Sequence, residues 1–225
     1  VPMISRGYAI AGVTYTKSGK ELFPAVINDG QAAVSFLCLN AKRFNLDPKR
    51  FGAAGESSGG HLTALLATTN HSNEFMKHPV THKASSAIQA ASPWCGPTDF
   101  LKLNEVKASQ DYSKKHSAPS RLIGTPIREV PEKCRQANPI TYASKGDPPC
   151  FIVHGDKDFV VPMNQSELLH AALKKAGVPS TLHVVKGGGH GFSKITPANN
   201  EIVKKVMDFF DDQFQTASKA TNPPS

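Results

Sequence analysis

One segment has residue types and spacing suited to covalent chemistry: Gly55-Glu56-Ser57-Ser58-Gly59. It fits the pattern G-x-S-x-G and lies between a short apolar run, residues 50–54, and an apolar stretch of helical character, residues 61–67. In that setting a sharp strand-to-helix turn lifts the central serine clear of the backbone, and small flanking glycines let the turn close. The helix that follows points its first amides at the oxygen on which negative charge would develop, and the Ser58 amide is the first oxyanion donor to consider. Outside that setting the same residues make a plain Gly-rich turn. Ser58 is a rival nucleophile by adjacency, but only Ser57 holds the central position of the pattern.

A serine hydroxyl is a weak nucleophile at neutral pH and needs a base, which in turn needs a carboxylate to orient it. Both must come from downstream. His154-Gly155-Asp156-Lys157-Asp158 follows an apolar run, and sites in open α/β sheets gather at such strand ends. Asp158 is the expected acid; Asp156, early in a turn, is the competitor and is expected to cap local backbone. Lys186-Gly187-Gly188-Gly189-His190-Gly191-Phe192 carries glycines that let a loop fold back over the sheet edge, which makes His190 the expected base.

The remaining ligand-type side chains read as structural. His61 falls on the helix after the turn, and His71, His78 and His82 belong to a polar segment, residues 69–83. Cys38, Cys95, Cys134 and Cys150 contain no C-x-x-C pair, so no metal site is expected. Cys38 and Cys150 read as small buried apolar residues. Cys95 and Cys134 are the two that an oxidising compartment would join, with free thiols as the alternative. Lys and Arg outnumber Asp and Glu by 26 to 18, a net charge of +8, yet the basic pairs are scattered and lack interleaved aromatics, which excludes a nucleic-acid footprint.

The elements that must position these groups alternate. Residues 7–13 read as a strand, 23–43 as a helix with Pro24 in its first turn, 50–54 as a strand entering the serine turn, 84–91 and 149–154 as strands, and 163–176 as a helix. A strand over 180–185 and an amphipathic helix over 201–214 complete the pattern. Alternation of this kind implies an α/β fold, a mainly parallel sheet with helices on both faces. The 225 residues suit a single domain over 1–218, with an insertion of short helices over 96–147 and a tail over 219–225. Hydrophobic residues at 39% and charged residues at 20% match a globular protein. No apolar run reaches the roughly 20 residues that span a bilayer. The start, Val1-Pro2-Met3-Ile4-Ser5-Arg6, has neither an initiating Met nor the charged head and apolar stretch of a signal peptide, which fits a mature form, a trimmed form or a fragment and leaves secreted and periplasmic locations open.

Phe23-Pro24-Ala25 with Asp29 and Ala33, Leu46-Asp47-Pro48-Lys49-Arg50, and Gly55-Glu56-Ser57-Ser58-Gly59-Gly60-His61-Leu62 together resemble the hormone-sensitive-lipase-like esterases and the related feruloyl and acetyl xylan esterases. His154-Gly155-Asp156-Lys157-Asp158 with Val161-Pro162, and Gly189-His190-Gly191-Phe192, look like that group's acid and base segments. The resemblance runs from about residue 7 to residue 214. It implies the α/β-hydrolase fold, a Ser57-His190-Asp158 triad, no cofactor, and a small-molecule or polysaccharide ester as substrate. The chain order Ser, Asp, His is that of the fold.

One departure matters. The family places a His-Gly-Gly-Gly type loop upstream of the strand expected over residues 8–13, and no such motif precedes Val1. Either the first strands and that loop are missing, or another backbone segment supplies the second oxyanion donor. The 96–147 stretch is expected to shape the acyl and alcohol pockets, with Trp94, Pro97, Asp99 and Phe100 near the mouth; Trp94 and Phe100 read equally as core. Two other functions stand beside ester hydrolysis: a peptidase-type hydrolase, and a binding module without catalysis.

Overall fold

The computed structural model describes residues 3–221 apart from 73, 76 and 193–195, and omits the side chains of 81, 82, 196–200 and 216–221. Four parallel strands form one sheet in the order β1 (Gly52–Glu56), β2 (Ala90–Trp94), β3 (Cys150–Gly155) and β4 (Ser180–Val185). The helices are α1 (Ala25–Leu39), α2 (Ser58–Thr68), α3 (Ala118–Ile123), α4 (Pro131–Ala137), α5 (Asn164–Lys175) and α6 (Thr196–Thr221). The expected α/β architecture is therefore present, and it follows from strand periodicity. Successive side chains on a strand face opposite ways, so Ala91 and Ile152 enter one apolar cluster with Ile27 of α1, Leu62 and Leu65 of α2, and Leu169 and Leu173 of α5. Their neighbours Ala90 and Val153 enter a second cluster with Ile202, Val206, Phe210 and Phe214, a four-residue repeat along α6.

Several expected boundaries change, β1 (Gly52–Glu56 rather than 50–54) and α6 (Thr196–Thr221 rather than 201–214) among them. Residues 7–13 form no strand: Ile10 is 51% exposed and Val13 44%, and no ladder reaches them among the described residues. A strand exists only with a partner, and among the described residues β1 pairs with β2 alone. The segment is fastened instead at its ends, by the Arg6 guanidinium and the Tyr8 hydroxyl on Asp211 and by the Thr16 amide on Asp29. The second strand begins at Ala90 rather than 84, because Gly52 faces Ala90 at the first rung; before it, Gln89 and Phe51 bond to each other through a backbone pair and the Gln89 carboxamide. Helix α1 stops at Leu39, where the Asn40 side chain donates to the Phe36 carbonyl, and the chain turns through Asn45 at φ 54°.

The 96–147 stretch supplies α3 and α4 and encloses a third cluster, in which Phe100, Leu103, Ile123, Ile127 and Cys134 meet Val161 from the acid loop. Helix α6 continues through Thr221, and residues 222–225 lie outside the described residues.

Candidate active site

Every strand ends, at its carboxyl edge, on a segment that carries part of the site. Ser57 follows β1 at φ 56° and ψ −116°, a left-handed conformation rare for a side-chain-bearing residue and a mark of local strain. Two close approaches hold it there. A Cβ on Gly55 would meet the Gly59 carbonyl oxygen at 2.5 Å, and one on Gly60 the Trp94 carbonyl oxygen at 2.3 Å, so only glycine fits either position. The Ser57 amide donates to the Trp94 carbonyl at 2.9 Å, tying the turn to β2. Ser58 opens α2, where helix geometry leaves the first amides without an intrahelical acceptor. Its hydroxyl pairs with the Tyr15 hydroxyl at 2.7 Å.

The loop after β4 folds back as the glycines require: Gly187 and Gly191 take φ 71° and 68°, and a Cβ on Gly155 would collide with the Gly188 carbonyl oxygen at 2.2 Å. Asp156 accepts the Gly187 amide at 2.7 Å, the capping expected of it. His190 then stands between the other two groups. In the tautomer protonated at Nδ1, it donates to Asp158 Oδ2 over 2.8 Å and its Nε2 accepts from Ser57 Oγ over 2.9 Å. The three residues singled out from sequence thus meet at hydrogen-bond distance.

Their electrostatics follow from the contacts. Burial pushes the Asp158 carboxyl up, but bonds from His154, His190 and the Val161 amide outweigh it and hold the pKa well below the usual carboxylate range. The Asp158 bond, followed by a contact with Cys95, raises the His190 imidazole above its ordinary value, against the opposing effect of burial. The His190 side chain is 22% exposed and Asp158 fully buried, so solvent reaches the pair from the imidazole side.

Of the four residues expected near the mouth, Trp94 and Pro97 are half-buried, while Asp99 and Phe100 are buried. Phe100 is 2% exposed and stacks on the His61 ring, and Asp99, 7% exposed, accepts the Leu101 amide and the Asn138 carboxamide. Both are core residues, because the segment after β2 is pinned inward by Gln165, which accepts the Thr98 and Asp99 amides. Pro97 offers its carbonyl to His61 Nδ1, and burial lowers the His61 pKa to about 4, which leaves that ring neutral. Trp94 packs on Phe192 beneath the His190 turn and donates to Ser92 Oγ. The large apolar side chains that do reach solvent beside the acid are Phe159 and Val160. All four cysteines are free; Cys95 and Cys134 lie in different clusters. Of the histidines in the 69–83 segment, His71 bonds the Gly146 carbonyl and His78 accepts the Val80 amide, while the His82 side chain lies outside the described residues.

Two neighbours of the site were not foreseen. Among the described residues, Cys95, Asp158 and His190 are the one group of three or more metal-ligating side chains whose ligand atoms converge. His154 is fully buried behind the acid: its Nε2–H donates to the Val161 carbonyl at 2.8 Å with Asp158 Oδ2 at 3.3 Å, and its Nδ1 accepts from Ser166 Oγ at 2.6 Å. His154→Leu keeps most of the volume but strands a carbonyl and a hydroxyl away from water. A loss of about 2–4 kcal/mol is expected in urea unfolding at constant slope, and a change below about 1 kcal/mol would contradict this role.

Residues 1–173 match the BD-FAE family, and residues 132–218 match the dienelactone hydrolase family. Esterase LipQ of Mycobacterium tuberculosis is 28% identical over 210 residues, which are 92% of this chain and 48% of LipQ. The chain therefore spans about half the length of that relative. A truncated form of a carbohydrate esterase from gut microbiota shares 32% identity and superposes with a TM-score of 0.81, covering 94% of this chain and 76% of that one. The bifunctional GH43-CE protein of Bacteroides eggerthii gives 31% identity and a TM-score of 0.84, over 94% of this chain and 28% of its own. Helices cover both faces of a parallel sheet, a serine turn follows its first strand, and most of the length matches one family: the chain belongs to the BD-FAE family and has the α/β-hydrolase fold.

Proposed function

We propose that the chain hydrolyses carboxylic esters through Ser57, His190 and Asp158, and that its substrates are short acyl esters, acetyl or feruloyl groups on plant polysaccharide included. The observation that carries the reading is His190 bridging Ser57 Oγ and the buried Asp158 carboxylate, 2.9 and 2.8 Å away. Ser57 Oγ attacks the ester carbonyl carbon as its proton passes to His190 Nε2, and Asp158 stabilises the imidazolium. The Ser58 amide, at the positive end of α2, receives the developing oxyanion. The C–O bond to the alcohol breaks, the leaving oxygen takes the Nε2 proton, and an acyl-Ser57 ester is left. Water, deprotonated by His190, releases the acid and restores the serine. No step calls on a cofactor.

Substrate class is supported by the similar proteins, whose names describe a carbohydrate esterase and a bifunctional GH43-CE protein. Among the described residues no helix is long and apolar enough to cross a membrane.

The test starts with diethyl p-nitrophenyl phosphate, whose phosphorus accepts Ser57 Oγ as p-nitrophenolate leaves. One nitrophenolate per chain and a diethylphosphoryl mass on the Ser57 peptide are expected, followed by faster turnover of acetylated xylan fragments by untreated chain than of a long-chain triglyceride. A label on another residue while ester turnover persists overturns the nucleophile, and a preference for the triglyceride overturns the substrate class.

A further inference from the structure

We propose that Cys95, Asp158 and His190 form an inhibitory site for a soft divalent cation, Zn2+ being the ion that fits. Cys95 Sγ, a carboxylate oxygen of Asp158 and a ring nitrogen of His190 all lie within 4.8 Å of one another. The hydrolytic scheme uses the last two and gives the thiol no part. Cys95 is fully buried, follows β2 at φ 37°, and has its amide fixed on the Val153 carbonyl at 2.9 Å, so its place beside His190 is set by backbone on both sides. It has no disulfide partner.

One sulfur, one imidazole nitrogen and one carboxylate oxygen make a donor set that suits Zn2+ and does not suit Mg2+ or Ca2+, which take oxygen ligands. With bonds of about 2.0–2.3 Å, a tetrahedral ion sets its ligands roughly 3.5 Å apart. The cluster therefore closes on the ion by side-chain rotation, with water as fourth ligand. Entry is from the His190 side, where solvent reaches the ring. On binding, the thiol proton leaves to solvent and the sulfur coordinates as thiolate. If Nδ1 is the ligand, the ring proton moves to Nε2, which then faces Ser57 as a donor; if Nε2 is the ligand, its lone pair is taken by the metal. Either way His190 no longer accepts the serine proton. The inhibition, but not the binding, rests on the assignment of His190 as the base.

The test uses ZnCl2 in chelator-free buffer, read both as inhibition of p-nitrophenyl acetate hydrolysis and as binding in competition with a chromogenic chelator. Wild type is expected to bind one Zn2+ and lose activity, with recovery on adding EDTA, while equal Mg2+ or Ca2+ has no effect. Cys95→Ala and Cys95→Ser are expected to weaken both readouts by about 100-fold or more, since loss of a direct ligand exceeds the 10–100-fold typical of an outer partner. Ser57→Ala is expected to bind Zn2+ as wild type does, so binding there without any hydrolysis by wild type sinks the esterase reading and leaves this one standing. Unchanged zinc affinity in both Cys95 variants, or no binding by wild type, overturns the site. Should those variants fail to fold, Co2+ added to wild type decides: a thiolate-to-metal charge-transfer band in the near ultraviolet supports the site, and its absence overturns it.

Discussion

Ser57→Ala is expected to lower kcat for p-nitrophenyl acetate by on the order of a millionfold, the loss that follows when a nucleophile acting as one unit with its base is removed. The effect is chemical rather than structural. Ser57 lies at φ 56°, and alanine meets the same backbone cost there as serine, so the unfolding midpoint should hold. The amide bond to the Trp94 carbonyl and the glycine contacts that shape the turn do not involve the hydroxyl. Ser58→Ala is the informative companion. In the proposed scheme Ser58 contributes its amide, which alanine retains, and the variant gives up only the side-chain bond to Tyr15, so a decrease of no more than about tenfold is expected. The reverse order of effects would make Ser58 the nucleophile. Equal, small effects would remove serine chemistry altogether and favour the binding module.

The three groups of the proposed triad were legible because each sits in a backbone context that sequence displays. Gly55, Gly59 and Gly60 mark the turn at Ser57, and Gly187, Gly188 and Gly191 mark the fold-back at His190; in both places a Cβ at one or more of the glycines would strike neighbouring atoms. Asp158 and Asp156 separated by position in their turn, and their partners, His190 and the Gly187 amide, accord with that separation. What sequence did not display depends on register between distant strands. Trp94 pairs with Val153, which sets Cys95 against the segment after β3, and neither residue carries a local sign of the other. His154 reads from sequence as part of a turn motif, and its role behind Asp158 appears only when α5 brings Ser166 to its other nitrogen. Asp99 and Phe100 were placed at the mouth because polar and aromatic residues after a strand end suit either surface or core. Gln165, more than 60 residues downstream, decides for the core by taking two amides of that loop. Residues 7–13 failed as a strand for a related reason: apolar alternation states that a segment can pair, and the partner decides whether it does.

Asp158→Asn is expected to cost on the order of ten-thousandfold in kcat with little change in the fold. The asparagine Oδ1 still accepts the Val160 and Val161 amides, now at 2.8 and 2.9 Å, so the loop keeps its shape. Its Nδ2, however, stands where a carboxylate oxygen received the His190 Nδ1–H. Two donors cannot face each other, so the ring adopts the other tautomer, with Nδ1 accepting and Nε2 protonated toward Ser57, and a protonated Nε2 cannot act as the base. The same substitution removes two opposite pH dependences of stability. Asp158, depressed in the folded chain, contributes above about pH 4 and loses that contribution as pH falls through its folded value; His190, raised, contributes below about pH 6.5 and loses it as pH rises through its own. Between about pH 4 and 6.5 both are present in wild type, so urea midpoints of wild type and Asp158→Asn should differ most there, and the gap should narrow toward alkaline pH to what the Asp158 carboxylate alone contributes. Retention of more than about a tenth of wild-type kcat by the variant would remove Asp158 from the triad, and a midpoint difference independent of pH would show that the carboxylate and the imidazole are not coupled as their 2.8 Å contact implies.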